Sequence, residues 1–208
     1  MTGCTDGATT AAEPSAERML DDANDTMKAL TSVTIDGKTT TTAGDGYSSH
    51  LTTDLKGRCA ARTTWTTGVG LEQVRIGATD YVRPNRAHLE QWSGRYTAGA
   101  KDQNLWLKVP SSDAKPGDGL AECTWEFASF GAARKSQPTK VGGVPAIPLV
   151  VTDEADKGGS YTFYVATDGK PYILKVVYKG TKFHSTTSFG AFDKPADVRP
   201  PAEADVLG

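Results

Sequence analysis

The alternation of apolar and polar positions divides the chain into one strongly amphipathic helix and a long series of short strands. From Ser15 to Leu30, the residues Met19, Leu20, Ala23, Met27 and Leu30 recur at spacings of three and four. Glu17, Arg18, Asp21, Asp22, Asp25 and Lys28 occupy the other side, as a helix half-buried against a core requires. Ser15 is placed to cap the first turn, and Glu17 suits the positive end of the helix dipole. β-like runs follow at Val33 to Thr40, Gly46 to Leu55, Cys59 to Thr66, Leu71 to Ile76 and Asp80 to Arg83. Runs so short and closely spaced predict an antiparallel meander. Asn85 to Trp92 reads as a brief helix and Leu105 to Val109 as a further strand. After a Gly- and Pro-containing stretch, Leu120, Cys123, Phe127 and Phe130 repeat at helical spacing behind Asp118, a candidate N-cap, and predict a second helix. The last third predicts strands at Val141 to Thr152, Ser160 to Ala166, Tyr172 to Tyr178 and Lys182 to Ser188, with Asp168-Gly169 as a turn. Within Tyr172 to Tyr178 the even positions Tyr172, Leu174, Val176 and Tyr178 form an apolar face, and Lys175 lies on the other.

Composition adds limits to this picture. The chain has 208 residues, enough for one sizeable domain and short for two. A formal net charge of -2, with Lys and Arg scattered among acids, gives no basic footprint for a phosphate backbone, so nucleic acid is not an expected partner. No stretch approaches the roughly 18 consecutive apolar residues of a spanning helix, so membrane attachment is expected to be covalent or peripheral. Paired and clustered threonines, such as Thr39 to Thr42 and Thr63 with Thr64, read as the wet faces of strands. Met1 to Pro14 is small, polar and without apolar periodicity, which predicts a flexible tether.

Candidate chemistry is sparse. There is no GxSxG, HExxH or P-loop, and the glycines at Gly68 and Gly70 lack the third glycine and the setting of a dinucleotide fingerprint. His50, His88 and His184 are far apart in sequence, and Asp21-Asp22 falls on the wet side of a helix. Trp65, Trp92, Trp106 and Trp125 are dispersed over different elements and read as core or rim packing. The expectation is therefore no catalytic residue, no metal and no cofactor. Cys59, in a strand, and Cys123, on the apolar stripe of the second helix, are expected to be bridged in an oxidising compartment; the alternative is two separate buried thiols. No cysteine spacing points to zinc. Thr2-Gly3-Cys4 ahead of a polar tether resembles a bacterial lipobox, in which the cysteine is acylated after the signal peptide is cut. On that reading the signal has been removed, Met1 is an added start, and Cys4 is the lipid anchor.

The order of elements, the segment DYVRPN leading to LWLKVP, the turn ATDGKPYILKVVYKG and the ending SFGAFDKPADVRPP resemble the LolA-type superfamily, in particular the actinobacterial LppX/LprG-like lipoproteins. The resemblance covers nearly the whole chain after the tether. It implies an α+β fold, a curved antiparallel half-barrel (an unclosed β-barrel) with helices packed on its concave face. It divides the chain into a lipobox remnant and tether at 1–14 and one domain at 15–208. It further implies an apolar cavity, placed between the first helix and the sheet, that holds acyl chains. Leu20, Met27, Leu51, Trp65, Phe127, Leu149, Phe163, Leu174 and Val176 are the candidate lining. The expected protein is a lipid-binding lipoprotein anchored to the outer face of the cell membrane, its partner a lipid or lipidated molecule. The alternative is an interaction module that modulates another envelope protein, with Trp65, Phe127, Phe130 and Phe163 filling the space where a cavity would lie.

Overall fold

The computed structural model describes residues 13–93, 105–115 and 117–207. Most of the expected tether, Cys4 included, lies outside them. Helix α1 spans Ala16–Lys28, and the Ser15 hydroxyl accepts from the Arg18 N–H at 3.2 Å, satisfying one of the donors left open at the first turn. Its stripe of Ala16, Leu20, Ala23, Asn24 and Met27 is buried. Helix α2, Arg86–Ser93, starts at Asn85, whose Oδ1 accepts from the N–H groups of His88 and Gly70.

Thirteen strands among the described residues form one sheet: β1 Val33–Thr41, β2 Gly46–Thr53, β3 Arg58–Trp65, β4 Gly70–Ile76, β5 Thr79–Pro84, β6 Trp106–Pro110, β7 Ala132–Lys135, β8 Thr139–Val141, β9 Val144–Thr152, β10 Ser160–Ala166, β11 Ile173–Lys179, β12 Phe183–Gly190 and β13 Val206–Leu207. The spatial order is β13-β6-β5-β4-β3-β2-β1-β12-β11-β10-β9-β7, with β8 also on β9. Two meanders, β1 to β6 and β9 to β12, are thus joined through the β1/β12 pair, where Ile35 lies opposite Phe189. The pairings are antiparallel except the short parallel one of β13 with β6. The sheet does not close on itself, giving an open half-barrel with the α+β character expected from the sequence.

Helix α1 lies on one face of this sheet, against β7, β10 and β11. Leu20, Ala23 and Met27 pack there with Val33, Ile35, Leu149, Val151, Phe163, Val165 and Ile173 in the main core. The apolar face expected for Tyr172 to Tyr178 is corrected in one respect. A bulge shifts the β10/β11 register, so that Tyr164 pairs with Lys175 but Val165 pairs with Ile173, and Leu174 is the extra residue. The slip turns Ile173 into the main core and sends Leu174 to a smaller cluster with Ala146 and Ala166 on the other face.

The second helix expected over Leu120 to Phe130 is absent. Residues 117–131 cross the inner face as a strap without regular structure. Gly117 and Gly119 hold positive φ, and Asp118 does not cap a helix: its carboxylate accepts from the Lys115 and Leu120 N–H groups and closes a turn. From there Cys123 and Phe127 are buried, Ala121 and Ser129 are half-buried, and Glu122, Thr124, Trp125, Glu126 and Ala128 are exposed. Cys123 and Phe127, four residues apart, satisfy a helical and an extended period equally. Phe130 extended the helical match but is 75% exposed.

A disulfide joins Cys59 of β3 to Cys123 of the strap, with a Cα–Cα distance of 5.3 Å. Beyond β12 the chain turns through Asp193, which accepts from the Thr31 N–H and hydroxyl. It then runs past Arg58, whose guanidinium donates to the Val198 carbonyl, and ends on β6 as β13. The bridge closes a loop of 64 residues in sequence separation. Chain entropy alone makes that closure worth about 4 kcal/mol. The Cys59→Ala/Cys123→Ala double variant is expected to lower the unfolding free energy by about that amount in urea titrations. An unchanged midpoint would contradict a formed bridge.

Candidate functional site

Along β1 the inward positions are Val33, Ile35, Gly37, Thr39 and Thr41; along β2 they are Thr53, Leu51, Ser49 and Tyr47; along β12 they are Phe189, Thr187, Ser185 and Phe183. The β1 series and the start of the β12 series run from buried apolar residues to hydroxyl-bearing, more open ones. Along β2, buried Thr53 and Leu51 give way to Ser49 and the exposed Tyr47, and β12 ends on the exposed Phe183. The apolar ends belong to the core that α1 and the strap cover. The hydroxyl-bearing ends floor a cavity of about 820 Å³ between the sheet and strap residues Ala121 to Glu126. Trp125, 41% exposed, stands at its wall, edge-on to Phe189 at 5.9 Å between centroids. Tyr47 and Phe183 are likewise exposed aromatics in the cavity, with Lys38, Lys182, His50, Glu122 and Glu126 among its charged or titratable residues. A second cavity of about 230 Å³ continues past Trp125, Ser185 and Thr187 between strap residues Phe127 and Ala128 and the side chains of Phe163, Ile173, Val176 and Tyr178. Together they form one trough across the inner face, floored at successive points by β3, β2, β1, β12, β11 and β10.

The strap is fixed by bonds that replace the regular pairing it lacks. The Ala121 N–H donates to Gln73 Oε1 at 2.7 Å, and Gln73 Nε2 donates to the Ala121 carbonyl at 3.3 Å and to Asp80 Oδ1 at 2.9 Å. Asp80 is fully buried and takes a bidentate pair from Arg75, at 2.8 and 2.6 Å. That hydrogen bonding raises Arg75 further above the ordinary guanidinium value, against the opposing effect of burial. The Thr53 hydroxyl donates to the Cys123 carbonyl and accepts from the Leu55 N–H. On the helix side Asn24 Nδ2 donates to the Ser129 hydroxyl at 2.7 Å.

The nine candidate lining residues do not share one surface. Leu51 borders the larger cavity, and Phe127, Phe163 and Val176 border the smaller one. Leu20, Met27 and Leu149 line neither of these cavities. They are packed side by side in the core, because helix and sheet meet directly there. Trp65 stands at the end of β3 beside Tyr47 and His88, its ring against Gly119, where an added Cβ would come within 2.7 Å of Cη2. Burial lowers the His88 imidazole below its usual pKa. Leu174 is on the opposite face, for the reason given by the bulge. The sequence reading missed the hydroxyl floor of Thr39, Ser49, Thr63, Ser185 and Thr187, and Trp125 as a wall. Their signal was the clustering of Thr and Ser in strands, which marked wet positions without saying that the wet face is partly the inner one.

The open antiparallel half-barrel with one covering helix is a fold already seen in bacterial lipoproteins. Two solved structures share it over most of their length. Lipoprotein LppX of Mycobacterium tuberculosis superposes with a TM-score of 0.56 at 14% identity, covering 89% of this chain and 100% of its own. LprF of Mycobacterium bovis gives 0.54 at 12% identity, covering 90% of this chain and 97% of its own. No protein-family model and no curated protein matches the chain in sequence. No helix among the described residues is long and apolar enough to cross a membrane.

Replacing Gln73 by Leu keeps the shape but strands the Ala121 N–H and removes a donor from Asp80. The expected cost is about 1–3 kcal/mol, with faster proteolytic cutting at residues 121–128. Equal stability and equal cutting rates would show that Gln73 does not hold the strap.

Proposed function

We propose that the protein is a lipoprotein of the bacterial envelope that binds an amphiphile bearing an acyl chain in the trough beside the strap. The trough itself is the observation that carries this reading. A volume of about 820 Å³ is within the roughly 300–1,000 Å³ of ligand clefts. Its walls expose Tyr47, Trp125 and Phe183 to water, and the smaller cavity adds Tyr161. Apolar surface left uncovered on an inner face is what an acyl chain covers, at about 0.8 kcal/mol for each methylene taken out of water. The hydroxyl floor suits the polar portion of such a molecule, since serine and threonine both donate and accept. The candidate lining becomes Leu51, Phe127, Phe163 and Val176 with the floor residues, while Leu20, Met27 and Leu149 support it from the core. The shared fold with a mycobacterial lipoprotein supports an envelope setting. Cys4, outside the described residues, is the proposed anchor that holds the protein to the outer face of the cell membrane.

Thr187 borders both cavities. Thr187→Trp is therefore expected to weaken binding of a fluorescent fatty-acid probe by ~tenfold or more, with little change in melting temperature. A wild-type protein that binds neither the probe nor a phospholipid extract would overturn the lipid reading in favour of recognition of another envelope protein. Cys4→Ser is expected to move the protein from the membrane fraction to the medium when it is expressed in a host that processes lipoproteins. Retention of the Ser variant in the membrane would exclude the anchor.

A further inference from the structure

The trough does not end alike on its two sides. Beyond Ala128, Tyr161 and Phe163 it opens into a third cavity, of about 230 Å³, lined by Ala128, Ser129, Phe130, Asp153, Asp156, Tyr161 and Phe163. Three aromatic rings and two carboxylates therefore meet in one recess. Both aspartates are half-buried, and among the described residues neither takes part in a salt bridge. No lysine or arginine lines this cavity or the one next to it, whereas Lys38 and Lys182 line the far end of the trough. The carboxylates stand close enough to the Tyr161 phenol that, after burial, their charges are what push its pKa above the ordinary value.

A separate observation points the same way. Asn24 is 5% exposed and lines the adjoining cavity. Its Nδ2 is spent on Ser129, a residue of the recess, and its Oδ1 has no hydrogen-bond partner among the described residues. A buried acceptor without a donor is costly in an empty site. It becomes favourable when a ligand brings an N–H.

Resting on the acyl-chain reading above, we propose that the Phe130, Tyr161, Phe163, Asp153 and Asp156 recess takes a primary ammonium group, so that the bound amphiphile is an aminolipid. Aromatic faces attract a cation through their quadrupoles, carboxylates supply the opposite charge, and both act more strongly in a partly desolvated recess. An ammonium also has three donors, enough for the two aspartates and the Ser129 hydroxyl that line the recess. An anionic headgroup would meet two carboxylates and no cationic side chain there. The recess opens directly into the trough, which places the charged end of the ligand beside Tyr161 and its chain under Phe127 and Trp125.

The test uses single-chain probes below their micellar concentrations, dodecylammonium, dodecanoate and the uncharged decyl maltoside, each displacing a fluorescent fatty-acid probe from the full chain. Dodecylammonium is expected to bind about tenfold more tightly than dodecanoate, and Asp153→Asn/Asp156→Asn to erase that preference while leaving decyl maltoside binding unchanged. Phe130→Ala, at an exposed side chain that folding does not need, is expected to weaken dodecylammonium several-fold and leave dodecanoate as it was. Equal binding of the two charged probes by the wild type, or a preference that survives both variants, would overturn the ammonium site and leave the acyl-chain reading standing. Failure of every probe, decyl maltoside included, would remove both.

Discussion

The structure depends on the fastening of Cys123 to the inner face of the sheet. An irregular segment laid over an apolar surface must still pair its backbone groups, because each buried N–H or C=O left alone costs as much as a lost hydrogen bond. The strap meets that condition with side chains of the strands beneath it. Gln73 takes both polar groups of Ala121, Thr53 takes the carbonyl of Cys123, and the sulfur of Cys123 is bonded to Cys59. Gln73 is itself held by Asp80, which the guanidinium of Arg75 balances. A buried carboxylate of this kind is tolerable because its charge is matched and its lone pairs are used. Take away this chain of bonds and the strap is held only through Phe127 and the Asn24–Ser129 bond, and the trough loses the support of one wall.

The inner face shows how one set of strands can serve both a core and an opening. At one end of β1, β2 and β12 the inward residues are Val33, Ile35, Leu51 and Phe189, closely packed in the main core that α1 also joins. Where α1 does not reach, the same strands present Thr39, Ser49, Ser185 and Thr187. Hydroxyls there keep the uncovered surface compatible with water, so that part of the face needs no protein cover. The aromatic side chains left among them are the exception, and they mark where a ligand would add most.

Much of this was legible in the sequence, and the failures have physical causes. The stripe of α1 and the strand runs from Val33 to Arg83 and from Ser160 to Ser188 were clear, because runs of β-branched and aromatic residues alternate there with short turns, most of them containing glycine. The strap was misread because Cys123 and Phe127 stand four apart, a spacing common to both periods; the hydrogen bonds that decide the matter come from Thr53 and Gln73, remote in sequence. Leu174 was misplaced by a bulge opposite Tyr164 and Val165, which no pattern within β11 announces. The trough was legible only as an abundance of threonine. Thr39 and Thr41 face inward and Thr40 does not, a distinction that exists only once β1 has found β2 and β12.

The course of the last residues carries a mechanical consequence. After leaving β12 near the middle of the sheet, the chain binds Thr31 ahead of β1, passes under Arg58 at the start of β3, and ends on β6 at the far edge. It thereby joins two points of a curved surface by a direct line, as a string joins the limbs of a bow. A string of fixed length sets the bend: the strands between its attachments cannot flatten without stretching it or tearing it from Thr31 or Arg58. The curvature of the trough's floor is thereby tied to the number of residues from Ala191 to Asp205, a length in a tail that lines none of the three cavities described.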